Sequence, residues 1–179
     1  MDTSDELSGI LTFLNQCFSK YKYIKQITDI NDIDYLDKVL VEIEENFFSD
    51  MSYLPSDSES NIQYNLRIIY HRISNFYEYS IKKPLESKYF DYESNTPENF
   101  LKLSQLIVGI CVQSKNRDKY FEILNELEDE ESNEIISFLN ILIPVEQEEE
   151  KETNNSKNKD IEENTEEKKI KQVEDEDKE

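Results

Sequence analysis

Apolar residues recur at spacings of three and four along most of the chain, and this spacing is typical of amphipathic α-helices. In the first such segment, Leu7, Ile10, Leu14 and Phe18 fall on one face. Five further segments repeat the pattern. We predict six helices, which start near Thr3 or Ser4, near Asn31, near Ser60, at Pro97, after Ser114 and at Asp129.

Polar residues and prolines mark where these helices begin and end. Thr96 followed by Pro97 combines an N-cap with proline at the first helical position. Pro84 and Pro144 are expected to end the third and the last helix, and Pro55 opens a loop. The other predicted N-caps are Thr3 or Ser4, Asp29 or Asn31, Ser114 and Asp129. The second helix is expected to run to Phe47–Phe48 and the third to Lys82.

No segment alternates polar and apolar residues as a half-buried strand would, and the chain contains only two glycines. The sequence therefore predicts an all-α fold. Gly109 lies inside the fourth helix, predicted over 97–113, where glycine costs about 1 kcal/mol relative to alanine. We expect it to permit the close approach of a neighbouring helix. Residues 85–96 are predicted to form a loop pinned to the body by Tyr89, Phe90 and Tyr92.

The last predicted helix, 129–143, has more apolar residues than one buried face can hold. They are Ile135, Ile136, Phe138, Leu139, Ile141, Leu142 and Ile143. Part of this surface must meet another domain face, a second chain or a partner helix. Ile136, Phe138 and Ile141 could instead cover a self-dimer or pack under the 85–96 loop.

The charge distribution divides the chain into a domain, residues 1–144, and a tail, residues 145–179. The tail carries 15 acids and 7 lysines, which leaves 26 acids and 13 bases in residues 1–144. We predict that the tail is disordered, because it has too few apolar residues to offset its ordering entropy. The acidic domain repels nucleic acid and anionic surfaces. Its small basic group is expected to face solvent: Arg67, His71, Arg72, Lys82 and Lys83.

Residues that carry chemistry are few. The single histidine, His71, has no partners at ligand spacing, and two glycines cannot form a phosphate-binding loop. Cys17 and Cys111 lie among apolar residues and are predicted to be core thiols. We therefore predict no catalytic, cofactor or metal site, and no enzyme activity. The sequence shows neither a signal-peptide pattern nor a membrane-length apolar run, so we expect a cytoplasmic protein without membrane insertion.

Four segments, read in order, resemble one known domain. They are ELSGILTFLNQCF, DINDIDYLDKVLVEIEENFF, NLRIIYHRISNFYEYSI and QLIVGICVQSKNRDKYFEILNELE. Their order and spacing are similar to the N-terminal Hook domain, the variant calponin-homology domain of the Hook and Girdin families. The matching positions are Asp29, Val39, Leu40, Ile43, Phe47, Phe48, Asn65, Leu66, Gln105, Leu106, Ile107, Gly109 and Tyr120. Phe13 stands where that family has Trp. The resemblance covers about residues 6–143.

This resemblance implies a compact helical bundle of calponin-homology-like type with an extra C-terminal helix. It also implies a cytoskeletal adaptor that binds an amphipathic helix of the dynein light intermediate chain, in the cytoplasm and near the cytoskeleton or centrosome. In the family, a Gln and an Ile seven residues later make much of that contact, and they fall on Ser132 and Leu139. The predicted partner-helix site is Ser132, Ile135, Ile136, Leu139 and Ile143. Direct microtubule binding, which requires a contiguous basic face on the first and third helices, is the alternative.

Overall fold

The computed structural model describes residues 3–86, 89–91 and 93–143, with side chains from residue 8 onward. This part of the chain contains eight helical segments. Strands are absent from these residues, so the all-α prediction is confirmed. The segments are α1 (Thr3–Phe18), a 3-10 helix (Ile27–Ile30), α2 (Ile33–Ile43), α3 (Glu45–Phe48), α4 (Glu59–Tyr79), α5 (Pro97–Gln113), α6 (Arg117–Glu126) and α7 (Asp129–Leu142). The predicted tail, residues 145–179, lies outside the described residues.

α5 lies at the centre of the bundle. Twelve of its 17 residues are buried, so it is apolar nearly all round, as a helix enclosed by others must be. It packs against α1, α2, α4, α6, α7 and the 3-10 helix. The bounds of α5 agree with the predicted helix 97–113, and Thr96 caps it by accepting a hydrogen bond from the Asn99 N–H at 3.3 Å. Both cysteines are buried, as predicted.

Five predicted helix boundaries are wrong. The second helix is interrupted at Glu44, whose φ of −149° and ψ of 80° break it into α2 and α3. Asp32 caps α2 by accepting from the Tyr35 N–H at 3.1 Å, so neither Asp29 nor Asn31 does. The N-caps of α6 and α7 are Asn116 and Glu128 rather than Ser114 and Asp129. α4 ends at Tyr79 and not at Lys82, whose φ of 63° is left-handed.

Three buried or half-buried asparagines fasten the connecting loops to the helices. Each accepts a hydrogen bond from a loop N–H and donates one to the C=O of the same loop residue. The pairs are Asn15 with Ile24, Asn65 with Leu54, and Asn99 with Asp91. The predicted pinning of the 85–96 loop is confirmed for Phe90, which is buried, and for Tyr89, whose hydroxyl lies 3.4 Å from Gln105 Oε1. Tyr92 lies outside the described residues.

We expect Asn65→Ala to lower the free energy of unfolding by about 2 kcal/mol, because it removes the buried side chain that bonds both the N–H and the C=O of Leu54 at a partly buried contact. Asn75→Ala is the matched control, since Asn75 lies on the same helix and its side chain pairs with the exposed His71 ring rather than with a loop. It should change stability by no more than about 0.5 kcal/mol. Urea titration followed by circular dichroism measures both. Equal effects would show that the loop bonds contribute nothing.

Candidate partner-binding surface on α7

α7 is held against α1 by a close backbone contact near its first turn. A Cβ added to Gly9 would lie 2.8 Å from the Glu131 carbonyl oxygen and 3.1 Å from the Glu131 Cα. Real Cβ atoms do not approach a backbone so closely, so only glycine fits at this position of α1. Among the helix pairs of the bundle, α1 and α7 share the most extensive contact. Gly9 therefore sets how closely α7 can pack.

The Glu131 side chain adds two hydrogen bonds to this contact. Its Oε1 accepts from the Thr12 hydroxyl at 2.8 Å and from the Ser8 hydroxyl at 3.2 Å. Both donors lie on α1, one turn apart and on either side of Gly9. Hydrogen bonds to a charged group are stronger than neutral ones. The first turn of α7 is thus held on α1 both by the close backbone packing at Gly9 and by the hydrogen bonds of Glu131.

The last turn of α7 is held by the segment that follows α4. Lys83 Nζ donates to the Ile141 carbonyl oxygen, and a cation at a helix C-terminus is stabilised by the helix dipole. The left-handed Lys82 turns the chain so that the Lys83 N–H donates to the Tyr77 carbonyl at 2.9 Å. Ile143 lies beside Gly109 on α5, 3.8 Å from where a Cβ would stand. Both ends of α7 are therefore anchored.

Tyr77 fills the space that the second glycine leaves open. Its hydroxyl donates to the Leu106 carbonyl oxygen at 3.0 Å and occupies the place where a Gly109 side chain would begin. Burial raises the pKa of Tyr77, so the hydroxyl stays protonated and remains a donor. The prediction that Gly109 permits a close approach is confirmed, and the approaching group is this side chain from α4.

The orientation of α7 separates its apolar residues into a buried face and two edges. Successive residues are about 100° apart around a helix. Ile135 and Leu142 point into the core and are buried. Asn133, Ser137 and Asn140 form an exposed polar crest on the opposite side. We call the residues on one side of this crest the first edge, Ser132, Ile136, Leu139 and Ile143, and those on the other side the second edge, Phe138 and Ile141.

Four of the five predicted site residues lie on the first edge. Ser132, Ile136 and Leu139 are within about 60° of one another around α7, and the C-cap residue Ile143 follows directly after the helix. Ile136 is 45% exposed, and Ser132, Leu139 and Ile143 are partly exposed. Ile135, the fifth, is 0% exposed in the core and so presents no surface to a partner in this structure. Its burial holds α7 on the body. The first edge therefore offers one exposed apolar residue, Ile136, beside Leu139 and Ile143, which are partly buried against the core.

The alternative in which the 85–96 loop covers the surplus apolar residues does not fit the structure. Ile136 is 45% exposed and Ile141 is 76% exposed, whereas Phe138 is half-buried against the core. A self-dimer would cover the same surface and stays an alternative.

Charge is distributed unevenly along α7. Its first residues are Asp129, Glu130 and Glu131, and the segment from Ile135 to Ile143 has no charged side chain. Acidic residues in a first turn stabilise a helix through its dipole. The surface therefore has an acidic end and a neutral apolar end.

The basic residues of the third predicted helix do not form a continuous face with α1. Arg67 and His71 are exposed on α4, but Arg72 lies over the Phe47 ring at 5.5 Å. Lys83 is used at the end of α7. α1 contains neither lysine nor arginine. The contiguous basic face required for direct microtubule binding is thus not supported by these elements.

Two titratable groups with shifted pKa values, Glu42 and Cys17, have structural roles. Burial raises the pKa of Glu42, but hydrogen bonds from Lys20 and Lys119 outweigh it, so the net pKa is lowered and Glu42 joins α2 to the neighbouring segments. Burial raises the pKa of Cys17 to about 12, which keeps this thiol protonated. Within the described ranges no group of three or more acidic, histidine or cysteine side chains is placed to hold a metal ion. None of the described helices is long and apolar enough to cross a bilayer.

The described residues form an all-α domain in which α7 is an additional C-terminal helix. The structure is similar to the solution structure of the conserved domain of the HOOK1 protein from mouse. The TM-score is 0.65 at 18% sequence identity, and the match covers 77% of this chain and 90% of the mouse domain. The chain therefore has the Hook-domain fold, as its sequence motifs predicted. No family model and no curated protein sequence matches the chain.

The sequence pattern predicted the apolar residues of the first edge but not the residues that hold α7 in position. Gly9, Glu131 and Lys83 position α7, and each looks unremarkable in the sequence. The one available signal was the scarcity of glycine, since a chain with only two glycines places each where a side chain would not fit. The partners of Glu131 and Lys83 lie 119 and 58 residues away, which no local pattern reveals.

Proposed function

We propose that this domain is a cytoskeletal adaptor module that captures an amphipathic helix of the dynein light intermediate chain along the first edge of α7. One observation carries the proposal: Ile136 is 45% exposed on a helix whose two ends are both anchored. An exposed apolar side chain beside partly buried ones, on a helix that is held in place, supplies the apolar contact that recognition of an amphipathic helix requires. The Hook-type fold supports the same role. The proposal places the protein in the cytoplasm, associated with the cytoskeleton or centrosome.

Ser132 contributes less polar contact than the longer Gln that the Hook resemblance leads one to expect. Its hydroxyl is half-exposed on the first edge, one turn before Ile136. The apolar positions Ile136, Leu139 and Ile143 therefore supply most of the contact in this proposal. Apolar anchors that become fully desolvated dominate the energy of helix recognition.

Fluorescence titration of the full-length chain with a C-terminal helix peptide of the dynein light intermediate chain tests the proposal. We expect a dissociation constant on the order of micromolar, and at least about tenfold weaker binding for Ile136→Asp, because a charge would enter a desolvated apolar contact. Ile136 is exposed in the free domain, so this variant should fold normally.

Two controls on the same helix make the result specific. Ile141→Asp changes an equally apolar, more exposed residue on the second edge, and Asn140→Asp adds the same charge on the polar crest. Both should bind within about threefold of the unmodified chain. Loss of binding in Ile141→Asp alone would move the contact to the second edge. Absence of binding by a folded chain would rule out the dynein contact.

A further inference from the structure

We propose that the helix captured by α7 has a basic end, which lies against Glu128 and Asp129 about two turns beyond its apolar anchors. This inference rests on the proposed function and specifies the partner's chemistry. It starts from the first edge: by helical spacing, Asp129 continues the row of Ser132 and Ile136 toward the start of α7. Glu128 precedes it, and both acids are exposed. The apolar row is thus continuous with an acidic end.

The change from uncharged to acidic residues along α7 gives the partner helix a defined position. Ile136, Leu139 and Ile143 lie in a segment without charged side chains, whereas Glu128 and Asp129, beyond Ser132 at the other end of the edge, are acidic. From Asp129 to Leu139 the distance along the axis is about 15 Å. A partner whose apolar residues cover the neutral part therefore extends its next one or two turns over the acidic part. Lysine or arginine there would be attracted, and glutamate or aspartate repelled.

The charge of the whole domain favours a cationic partner over a second copy of this chain. Residues 1–144 contain 26 acids and 13 bases, so two copies would repel each other at long range. Self-association through the first edge would also bring two acidic ends close to a shared apolar contact. A helix with a basic end meets neither penalty, and long-range attraction would speed its association.

The acids of this first turn also stabilise α7 through the helix dipole, which is a purely structural role. That role predicts a change in stability when they are neutralised, but no change in preference between partner peptides. Peptide preference therefore separates the two roles.

The test uses two designed amphipathic peptides of about 18 residues with the same leucine face, one ending in a run of lysines and the other in glutamines. A helix can dock in either direction, so the lysines can stand at either terminus. We expect the lysine peptide to bind the full-length chain about fivefold to tenfold more tightly at low salt, with the difference shrinking as salt is added. Isothermal titration calorimetry measures both affinities.

The variant Glu128→Gln/Asp129→Asn should bind the two peptides almost equally. Glu45→Gln/Asp50→Asn is the matched control, since it removes one Glu and one Asp that are exposed on or after α3 and changes the net charge equally. It should keep the preference. Circular dichroism checks that both variants fold.

Two results would overturn the inference: equal binding of the two peptides by the unmodified chain, or equal loss of preference in the remote control. If the dynein peptide binds but the lysine and glutamine peptides bind equally well, the inference fails and the proposed function stands. If neither designed peptide nor the dynein peptide binds, both fail.

Discussion

Replacing Gly109 by alanine should lower the free energy of unfolding by about 3 kcal/mol, although alanine is the better helix former by about 1 kcal/mol. A Cβ at this position would overlap the Tyr77 hydroxyl and lie 3.2 Å from Cζ of the same ring. Tyr77 is fully buried, so its ring cannot swing into solvent. The substitution must displace the ring and break its hydrogen bond to the Leu106 carbonyl.

A second substitution tests this explanation. Tyr77→Phe removes the overlapping oxygen and by itself should cost about 1 kcal/mol for the lost hydrogen bond. In the double variant, Gly109→Ala should cost at least about 1 kcal/mol less than it does alone, because part of the overlap is gone. Chemical denaturation of the four proteins gives the coupling energy. Additive effects would show that the Tyr77 hydroxyl is not what excludes alanine.

The second large effect is expected at Gly9, where alanine should weaken the docking of α7 by about 2–3 kcal/mol. The clash is with the Glu131 backbone at 2.8 Å, and no change of rotamer can relieve it. α7 must move away from α1, which lengthens the bonds from Ser8 and Thr12 to Glu131. Because α7 carries the proposed binding surface, the dynein peptide should also bind more weakly.

Hydrogen exchange resolves where this destabilisation acts. Amides of α7 should lose protection before those of the buried helix α5, since only the outer helix needs to detach. Gln16→Ala on α1 is the control, because Gln16 is exposed on the same helix. It should leave the protection of α7 unchanged. Unaltered protection of α7 in Gly9→Ala would contradict a role for Gly9 in docking.

Helix existence was predictable because it depends on local periodicity. The stripe Ile33, Leu36, Leu40 and Ile43 follows from spacing alone, and all four residues are buried. The 3-10 helix and α3 were missed as separate elements because each has only four residues, too few to show a period. The caps were misplaced where several suitable residues are adjacent, since the choice among neighbouring Asp and Asn side chains depends on where the chain enters the helix.

The candidate site was predictable in part, because an excess of apolar residues over one helical face is visible in the sequence. Ser132, Ile136, Leu139 and Ile143 were assigned to one surface, and they share one edge of α7. Ile135 belongs to the same apolar run but is buried, because it shares with Leu142 the face of α7 that meets the core. The close backbone contact at Gly9 allows α7 to pack there.

By itself the sequence determined the helical class, the acidic charge and the surplus of apolar residues in the last helix, because these depend on composition and on spacing within one segment. Only the tertiary structure decided which of those apolar residues remain exposed. Gly9, Glu131 and Lys83 act across separations of 58 residues or more to hold α7 at both ends. Contacts between distant segments rotate a helix about its axis, and that rotation selects the edge a partner can reach.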